Sequence, residues 1–146
     1  MKLSRYIDHT LLAPQATATQ ITQLCDEARE HDFFAVCVNP ARVRQAKATL
    51  AGTAVKVCTV IGFPLGADTS AAKAFATRDA VENGAEELDM VMNIGLAKDG
   101  DWAAVQADIA AVVQAAAGQA LVKVILETCL LTADDIRHAC AAAMQA

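Results

Sequence analysis

The sequence predicts an α/β fold in which parallel strands and helices alternate along the chain. Short apolar runs, typical of buried strands, alternate with longer amphipathic runs, typical of helices. The apolar runs start roughly 21 to 35 residues apart, a spacing that suits right-handed crossovers between parallel strands. These runs have few polar interruptions, as expected for strands that are covered on both faces. Together the observations predict five consecutive strand–helix units.

Helical spacing and proline define the first two units. A strand at residues 7–12 precedes a helix at residues 17–32, whose apolar positions are Ile21, Leu24, Cys25 and Ala28. A second strand at residues 34–40 ends at Pro40, and this proline opens a helix at residues 40–52 that a glycine terminates. The first unit is therefore predicted from periodicity, and the second from proline and glycine.

The last three units follow the same order. Their strands are predicted at residues 55–66, 87–95 and 121–128. Their helices are predicted at residues 69–84, 102–118 and 132–146. Gly84 stops the first of these helices, and Thr132 is suited to cap the last, because a threonine hydroxyl can accept from the first free N–H groups.

Composition and charge narrow the functional class. The chain has 146 residues, enough for one domain over residues 1–146, and 55% of them are hydrophobic. A net charge of −5 argues against a general nucleic-acid binder, which would present a basic face. No apolar run reaches the roughly 18 residues of a transmembrane helix, and the charged start is a poor signal peptide. We therefore expect a cytoplasmic protein without nucleic-acid or membrane partners.

The cysteines predict buried free thiols. Their number is odd and none has CxxC spacing, at Cys25, Cys37, Cys58, Cys129 and Cys140. A zinc site needs clustered Cys and His ligands, and the three histidines do not supply such a cluster with the cysteines in the sequence. We therefore expect neither a metal nor a cofactor.

Two architectures accommodate five such units: a doubly wound open sheet, or part of an eight-stranded (β/α)8 barrel of the TIM type. The length favours the open sheet, because a whole barrel usually takes ~250 residues. Polar side chains favour the barrel. Alternation places Asp89, Val91 and Asn93 on one face of the fourth strand, and Lys123, Ile125 and Glu127 on one face of the fifth, so that two of the three side chains in each set are polar. Charged groups on such a face suit a barrel interior that leads to a site.

Asp89 and Lys123 hold matching positions in adjacent predicted strands and can form a buried ion pair. The pair can be structural, because removing one partner would leave a lone buried charge. It can also transfer protons at a carbon next to a carbonyl, and a desolvated lysine can form a Schiff base. Lys56 opens the third strand, and the remaining lysines are expected to be solvated, at Lys2, Lys47, Lys73 and Lys98.

Other segments could line a site. Residues 61–70 ("IGFPLGADTS") read as an active-site loop or as a plain loop with a helix cap, and they lack the GxxxxGK[ST] and GxGxxG nucleotide-binding patterns. His9 is expected to be a hydrogen-bonded structural residue, beside Thr10 at the end of the first strand. Cys37 lies late in the second strand, where packing is the simpler role and an approach to a ligand the alternative.

Four blocks of the sequence resemble the deoxyribose-phosphate aldolase family: "YIDHTLLAP", "FAVCVNPARV", "VKVCTVIGFPLGADTSAAKAFATRDAVENGAEELDMVMNIG" and "LVKVILETCLLT". Their order and spacing also fit. The resemblance implies a (β/α)8 barrel and a class I aldolase, a lyase that works through a lysine Schiff base without a metal. It implies reversible cleavage of 2-deoxy-D-ribose 5-phosphate to D-glyceraldehyde 3-phosphate and acetaldehyde, in deoxyribonucleotide catabolism.

The resemblance also implies roles for individual residues. Asp89 matches the family's proton donor and acceptor, and Lys123 matches an active-site lysine that is not the nucleophile. Thr10 and Cys37 match residues near the substrate. The Schiff-base lysine of the family lies on a further strand, which would follow Ala146, so the 146-residue chain alone is expected to be inactive.

A barrel shortened to about five of its eight units would leave strand edges and an interior face uncovered. We therefore expect a homo-oligomer that buries these edges or faces, for example a symmetric dimer. The substrate expected from the family is a small phosphorylated sugar or aldehyde. The alternative to an aldolase is a non-catalytic, self-associating barrel fragment.

Overall fold

The computed structural model describes residues 2–146, which contain five strands and six α-helices. The strands are β1 Asp8–Leu11, β2 Ala35–Val38, β3 Lys56–Ile61, β4 Glu87–Val91 and β5 Leu121–Ile125. The α-helices are α1 Ala18–His31, α2 Val43–Thr49, α3 Ser70–Glu82, α4 Ile94–Lys98, α5 Trp102–Ala116 and α6 Ala133–Gln145. Short 3-10 helices lie at Leu3–Tyr6, Pro40–Arg42 and Thr128–Leu130.

The strands form one sheet in the order in which they follow one another, β1-β2-β3-β4-β5. β1 and β2 run parallel, with Thr10 opposite Cys37. β2 and β3 also run parallel, with Cys37 opposite Cys58. An open doubly wound sheet of the flavodoxin type typically orders its strands 2-1-3-4-5 instead. Of the two architectures that the sequence allows, the sequential order therefore favours units of the barrel type.

The chain divides into two compact units, the first of which comprises the chain up to Val60 together with Ala80–Glu87. In this unit α1 begins with a capping box: the Thr17 hydroxyl accepts from the Gln20 N–H, and the Gln20 side chain accepts from the Thr17 N–H. The apolar face predicted for this helix is buried, at Ile21, Leu24, Cys25 and Ala28. β2 is buried along its whole length. The first predicted helix is therefore confirmed in position and orientation.

The second unit comprises Ile61–Asp79 and Leu88–Ala146. Its helix α5 buries an apolar row at helical spacing, at Val105, Ile109 and Val112. Its helix α6 begins at the predicted cap, where the Thr132 side chain accepts from the backbone N–H of Asp135. Within residues 2–146, no helix combines the length and the hydropathy that crossing a membrane requires.

All five strands end earlier than the sequence predicted, and the last three do so by three to five residues, so that two polar residues leave their expected faces. β4 stops at Val91, and Asn93 caps the unpredicted helix α4, with its side-chain oxygen accepting from the Leu96 N–H at 3.1 Å. β5 stops at Ile125, and Glu127 adopts a left-handed backbone with φ 59°. β3 likewise stops before the glycine loop. Asn93 and Glu127 therefore do not extend the polar strand faces, because local capping and turn geometry end both strands first.

Candidate active site

Asp89 and Lys123 form the ion pair that their matching positions predicted. Asp89 lies in the middle of β4, and its flanking side chains, Leu88 and Met90, are fully buried on the opposite face. Lys123 lies in the middle of β5. The Lys123 Nζ is 3.1 Å from the Asp89 Oδ1, and the side chains are 37% and 20% exposed. The ion pair is therefore present, but it is partly exposed and not the buried pair that the sequence allowed.

One oxygen of the Asp89 carboxylate has no fixed hydrogen-bond donor. Its Oδ1 is buried, and no described residue donates a well-aligned hydrogen bond to it. The contact with the Lys123 Nζ is thus an ion pair without hydrogen-bond alignment. This oxygen therefore stays available to a proton donor that reaches it.

The fully buried lysine of this unit is Lys73, which the sequence analysis expected to be solvated. It lies on α3, and its side chain is 0% exposed. The Lys73 Nζ is 2.6 Å from the Asp108 Oδ2 and donates to the backbone oxygen of Val91 at 3.0 Å. The expectation is wrong because tertiary packing turns this face of α3 inward, where a carboxylate and a carbonyl receive the ammonium.

The partner of Lys73 is a second buried residue that sequence reasoning missed. Asp108 lies on α5, 1% exposed, and its Oδ1 accepts from the Ser70 hydroxyl at 2.7 Å. A signal was available, because Asp108 falls three residues after Val105 and four before Val112, on the apolar face of its helix. A carboxylate at such a position predicts a buried cation nearby. We call Ser70, Lys73, Asp108 and the Val91 carbonyl the Lys73 cluster.

The loop between β3 and α3 passes close to the end of β4. At Gly66, with φ +66°, a Cβ would lie 2.0 Å from the backbone oxygen of Met92. At Gly62, with φ +65°, a Cβ would lie 3.0 Å from the Cε of Lys73. Only glycine fits this approach without displacing a neighbour or straining the backbone. The glycines of the predicted loop thus bring the backbone against the strand that carries Asp89.

In the first unit, the structure places Thr10 and Cys37 opposite each other on β1 and β2. The Thr10 side chain is exposed, and its hydroxyl donates to the backbone oxygen of Asp8 at 2.8 Å. Cys37 is buried in an apolar cluster with Ala35, Cys58 and Val60. Packing is therefore the observed role of Cys37, and the proximity of either residue to a substrate stays a prediction.

His9 has the structural role that the sequence predicted. Its Nε2 lies 2.7 Å from the Glu27 Oε2, and its ring packs near Phe33, with centroids 5.2 Å apart. The hydrogen bond from His9 lowers the pKa of the Glu27 carboxyl. His9 thus fastens β1 to α1 within the first unit, and its ring nitrogen already has a partner.

All five cysteines are free thiols, as the sequence predicted. Three of them are also buried, at Cys25, Cys37 and Cys58, whereas Cys129 and Cys140 are exposed. Burial, followed by the nearby Asp26, raises the pKa of the Cys25 thiol to about 11. The hydrogen bond to Glu127 raises the pKa of the Cys129 thiol. Neither of these two thiols is therefore activated as a thiolate nucleophile.

An apolar cavity of about 420 Å³ lies beside β5, on the face away from the ion pair. The cavity is lined by residues of β5 and the segment after it whose side chains point away from Lys123, and by residues of α6. The first set is Val122, Val124 and Leu126, and the second is Cys140, Ala143 and Met144. The cavity holds no charged side chain. The two faces of β5 therefore differ in chemistry, and Lys123 is on the polar one.

The sequence matches the DeoC/LacD family of aldolases over residues 3–145. It is 59% identical to the deoxyribose-phosphate aldolase of Brevibacillus brevis, over 100% of this chain and 66% of that protein. It is 58% identical to the deoxyribose-phosphate aldolase of Streptococcus equi subsp. zooepidemicus, with the same coverage. The chain thus spans 66% of the length of these curated relatives.

Solved structures show the same fold. A Coccidioides immitis protein that is assigned as a deoxyribose-phosphate aldolase superimposes with a TM-score of 0.94 at 44% identity, over 97% of this chain and 56% of that one. The tetrameric deoxyribose phosphate aldolase of Aeropyrum pernix superimposes with a TM-score of 0.89 at 32% identity, over 97% of this chain and 59% of that one. The five strand–helix units therefore have the arrangement found in these aldolases.

Proposed function

Because the chain belongs to the DeoC/LacD aldolase family, we propose that it supplies the proton-transfer part of a deoxyribose-phosphate aldolase. The reaction would cleave 2-deoxy-D-ribose 5-phosphate reversibly to D-glyceraldehyde 3-phosphate and acetaldehyde. The observation that carries the proposal is the partly exposed pair of Asp89 and Lys123, in which the Asp89 Oδ1 lies 3.1 Å from the Lys123 Nζ.

In this mechanism Asp89 is the acid and base. As the carbon–carbon bond breaks, the carboxylate accepts the proton of the substrate hydroxyl that becomes the aldehyde of glyceraldehyde 3-phosphate. The bonding electrons move to the acetaldehyde carbon, which then needs a proton, and protonated Asp89 returns it. Lys123, whose Nζ lies 3.1 Å from the Asp89 Oδ1, holds the carboxylate in place by its charge while this proton passes from oxygen to carbon.

Lys123 is proposed as a partner of Asp89 and not as the nucleophile. An amine attacks a carbonyl only as a neutral group that can reach it, and the Lys123 Nζ is engaged by a carboxylate. The resemblance assigns the Schiff-base lysine to a later strand, and the relatives extend beyond the 66% of their length that this chain matches. The nucleophile is therefore to be sought in that remaining part.

The other proposed features rest on the family. The exposed Thr10 hydroxyl is suited to a hydrogen bond with a substrate oxygen. Cys37, which is buried, would form part of the wall of the site by packing.

The tetramer of the Aeropyrum pernix relative supports a homo-oligomer for this protein as well, and sedimentation at micromolar concentration tests the oligomeric state. A monodisperse, folded monomer would contradict the oligomer. The domain limits and the cytoplasmic location also stay predictions.

The deciding experiment joins this chain to the part of the Brevibacillus brevis relative that it does not match, and measures retro-aldol turnover. Asp89→Asn should lower kcat by about 10²- to 10⁴-fold, as expected when a general acid–base is removed. Asp99→Asn, at an exposed acid just beyond α4, is the matched control and should leave turnover unchanged. Equal turnover of the Asp89 variant and the parent would overturn the proposal.

Borohydride trapping tests the role of Lys123. The 146-residue chain, incubated with substrate and borohydride, should yield no adduct on Lys123 and negligible turnover, because this amine is held by Asp89. The joined protein should be trapped within the added part. An adduct on Lys123, located by peptide mass spectrometry, would make it the nucleophile. No adduct and no turnover in the joined protein would instead favour the non-catalytic alternative.

A further inference from the structure

We infer that Lys73 is a positioning residue that fixes the carboxyl end of β4 and thereby sets Asp89 against Lys123. The inference rests on the proposed role of Asp89 for its functional meaning, but its structural part stands on contacts alone. Lys73 does not contact Asp89 or Lys123 in any observed bond. It acts through the backbone of the strand that carries Asp89.

The position of the ammonium is fixed by two oxygens from different elements. The Lys73 Nζ, which comes from α3, lies 2.6 Å from the Asp108 Oδ2 on α5 and 3.0 Å from the Val91 oxygen on β4. The second carboxylate oxygen of Asp108 is held by Ser70 at 2.7 Å. With both side chains of the ion pair at most 1% exposed, no solvent competes for these bonds.

The link from this cluster to the ion pair is short. Val91 follows Asp89 by two residues, so the side chains of the two residues lie on the same face of the strand. The next residue, Met92, donates its N–H to the Ile125 oxygen at 3.2 Å, and Ile125 follows Lys123 by two residues. The ends of β4 and β5 are thus joined just beyond the pair, and Lys73 holds that junction from the helix side.

The chemistry of the cluster supports positioning more than stabilisation. A buried ion pair is weak evidence for stability, because well-packed apolar residues of similar volume often serve equally well. An apolar residue cannot donate to the Val91 carbonyl, however, and an ammonium can. The Lys73 ammonium therefore supplies a hydrogen bond that fixes the Val91 carbonyl in place, which apolar packing cannot do.

Lys73 itself is excluded as a nucleophile by its surroundings. Its side chain is 0% exposed, its Nζ is held by Asp108 and by Val91, and its Cε lies 3.0 Å from where a Gly62 Cβ would be. No carbonyl compound can reach this amine without disassembly of the cluster. Positioning is the role that remains compatible with these contacts.

The test measures how fast the amine of Lys123 is acetylated by an N-hydroxysuccinimide ester in the 146-residue chain, by peptide mass spectrometry. The main variant combines Lys73→Met with Asp108→Asn. It removes both charges together, so that neither is left buried alone, and the asparagine oxygen can still accept the hydrogen bond from Ser70. Lys123 should react about 3-fold faster or more, because an amine that is released from the Asp89 carboxylate is more accessible to the ester. Lys56 and Lys47, which pair with Glu86 in the first unit, should react at their parental rates.

A matched control separates positioning from general loosening. Val112→Ala removes apolar packing from the same helix α5 at a fully buried position that makes no bond to the cluster. It should leave the Lys123 rate at the parental value. An unchanged Lys123 rate in the double variant, or an equal rise in the Val112 variant, would overturn the inference.

A kinetic measurement on the protein joined to the Brevibacillus brevis part connects the position of Lys73 to turnover. The double variant should lower kcat by roughly 10- to 100-fold with little change in KM, since a misplacement of about 1 Å at the reacting group costs that much. A change in KM with kcat intact would contradict positioning. If Asp89→Asn leaves turnover unchanged, the proposed function fails, while the acetylation result still decides whether Lys73 positions the pair.

Discussion

Two ion pairs of the second unit have the same chemical composition and opposite surroundings. Lys73 and Asp108 are at most 1% exposed, and every carboxylate oxygen of that pair has a close partner. Lys123 and Asp89 are 37% and 20% exposed, and the contacting oxygen of Asp89 accepts no aligned hydrogen bond. The difference teaches that burial and a full set of partners make a lysine–aspartate pair a fixed support, whereas the partly exposed pair keeps an oxygen without a fixed donor.

The largest expected effect is on stability, from Lys73→Met. It leaves the Asp108 carboxylate buried without its cation, which should lower the free energy of unfolding by about 3–5 kcal/mol. Lys123→Met, at the partly exposed pair, should change it by no more than ~1 kcal/mol. Urea unfolding followed by circular dichroism measures both. Comparable losses in the two variants would remove the distinction between the pairs.

An intermediate effect is expected at the loop that packs on the end of β4. In Gly66→Ala the new Cβ would lie 2.0 Å from the Met92 oxygen, and a positive φ costs an L-residue about 1–2 kcal/mol besides. Gly100→Ala is the control, because φ is +76° there too but the space around it is open. The urea midpoint should fall further for Gly66→Ala than for Gly100→Ala. Equal decreases in the two variants would mean that the loop is not closely packed against the end of β4.

The smallest effect concerns a third pair, Lys98 with Asp135, whose side chains are 47% and 20% exposed. The backbone N–H of Thr132, followed by Lys98, lowers the pKa of the Asp135 carboxyl to about 2. Because the pKa of Asp135 is lower in the folded state, its carboxylate stabilises the fold at pH values above the ordinary pKa of 3.8. This stabilisation is lost as the pH falls toward 2. Asp135→Asn should therefore reduce stability at neutral pH and flatten its decline across that acidic window.

Asp134→Asn is the control for this pH dependence, since Asp134 is an exposed neighbour in the first turn of the same helix. Urea midpoints between about pH 7 and pH 2.5 measure both variants against the parent. A parental slope in the Asp135 variant would show that the surface pair contributes nothing, even with the helix cap beside it.

The sequence predicted those parts of the molecule that depend on periodicity and local signals. The buried face of α1, the Thr132 cap and the pairing of Asp89 with Lys123 follow from helical spacing, capping chemistry and matching strand positions. It failed at strand ends, where Asn93 had to be recognised as a cap and Glu127 as a left-handed turn residue. Both depend on hydrogen bonds and dihedral angles that alternation alone does not reveal.

The Lys73 cluster was missed for a different reason. Lys73 lies on a helix rich in alanine and charged residues, where no clear apolar stripe shows which face turns inward. Its burial depends on Asp108, 35 residues further along the chain, and on the carbonyl of Val91, 18 residues away. A charged residue can be assigned to a core only when its distant partner is known. The local sequence signal for the buried pair was Asp108, a carboxylate on the apolar face of α5.

The same separation has a consequence for how the chain folds. Three segments must arrive together before the ammonium of Lys73 has both of its acceptors, and they are distant in sequence. If α3 docks in a wrong register, Lys73 and Asp108 enter the interior as two lone charges, an arrangement that costs several kcal/mol. Incorrect packings of this helix are therefore disfavoured, and the cluster favours the one assembly in which the two charges meet.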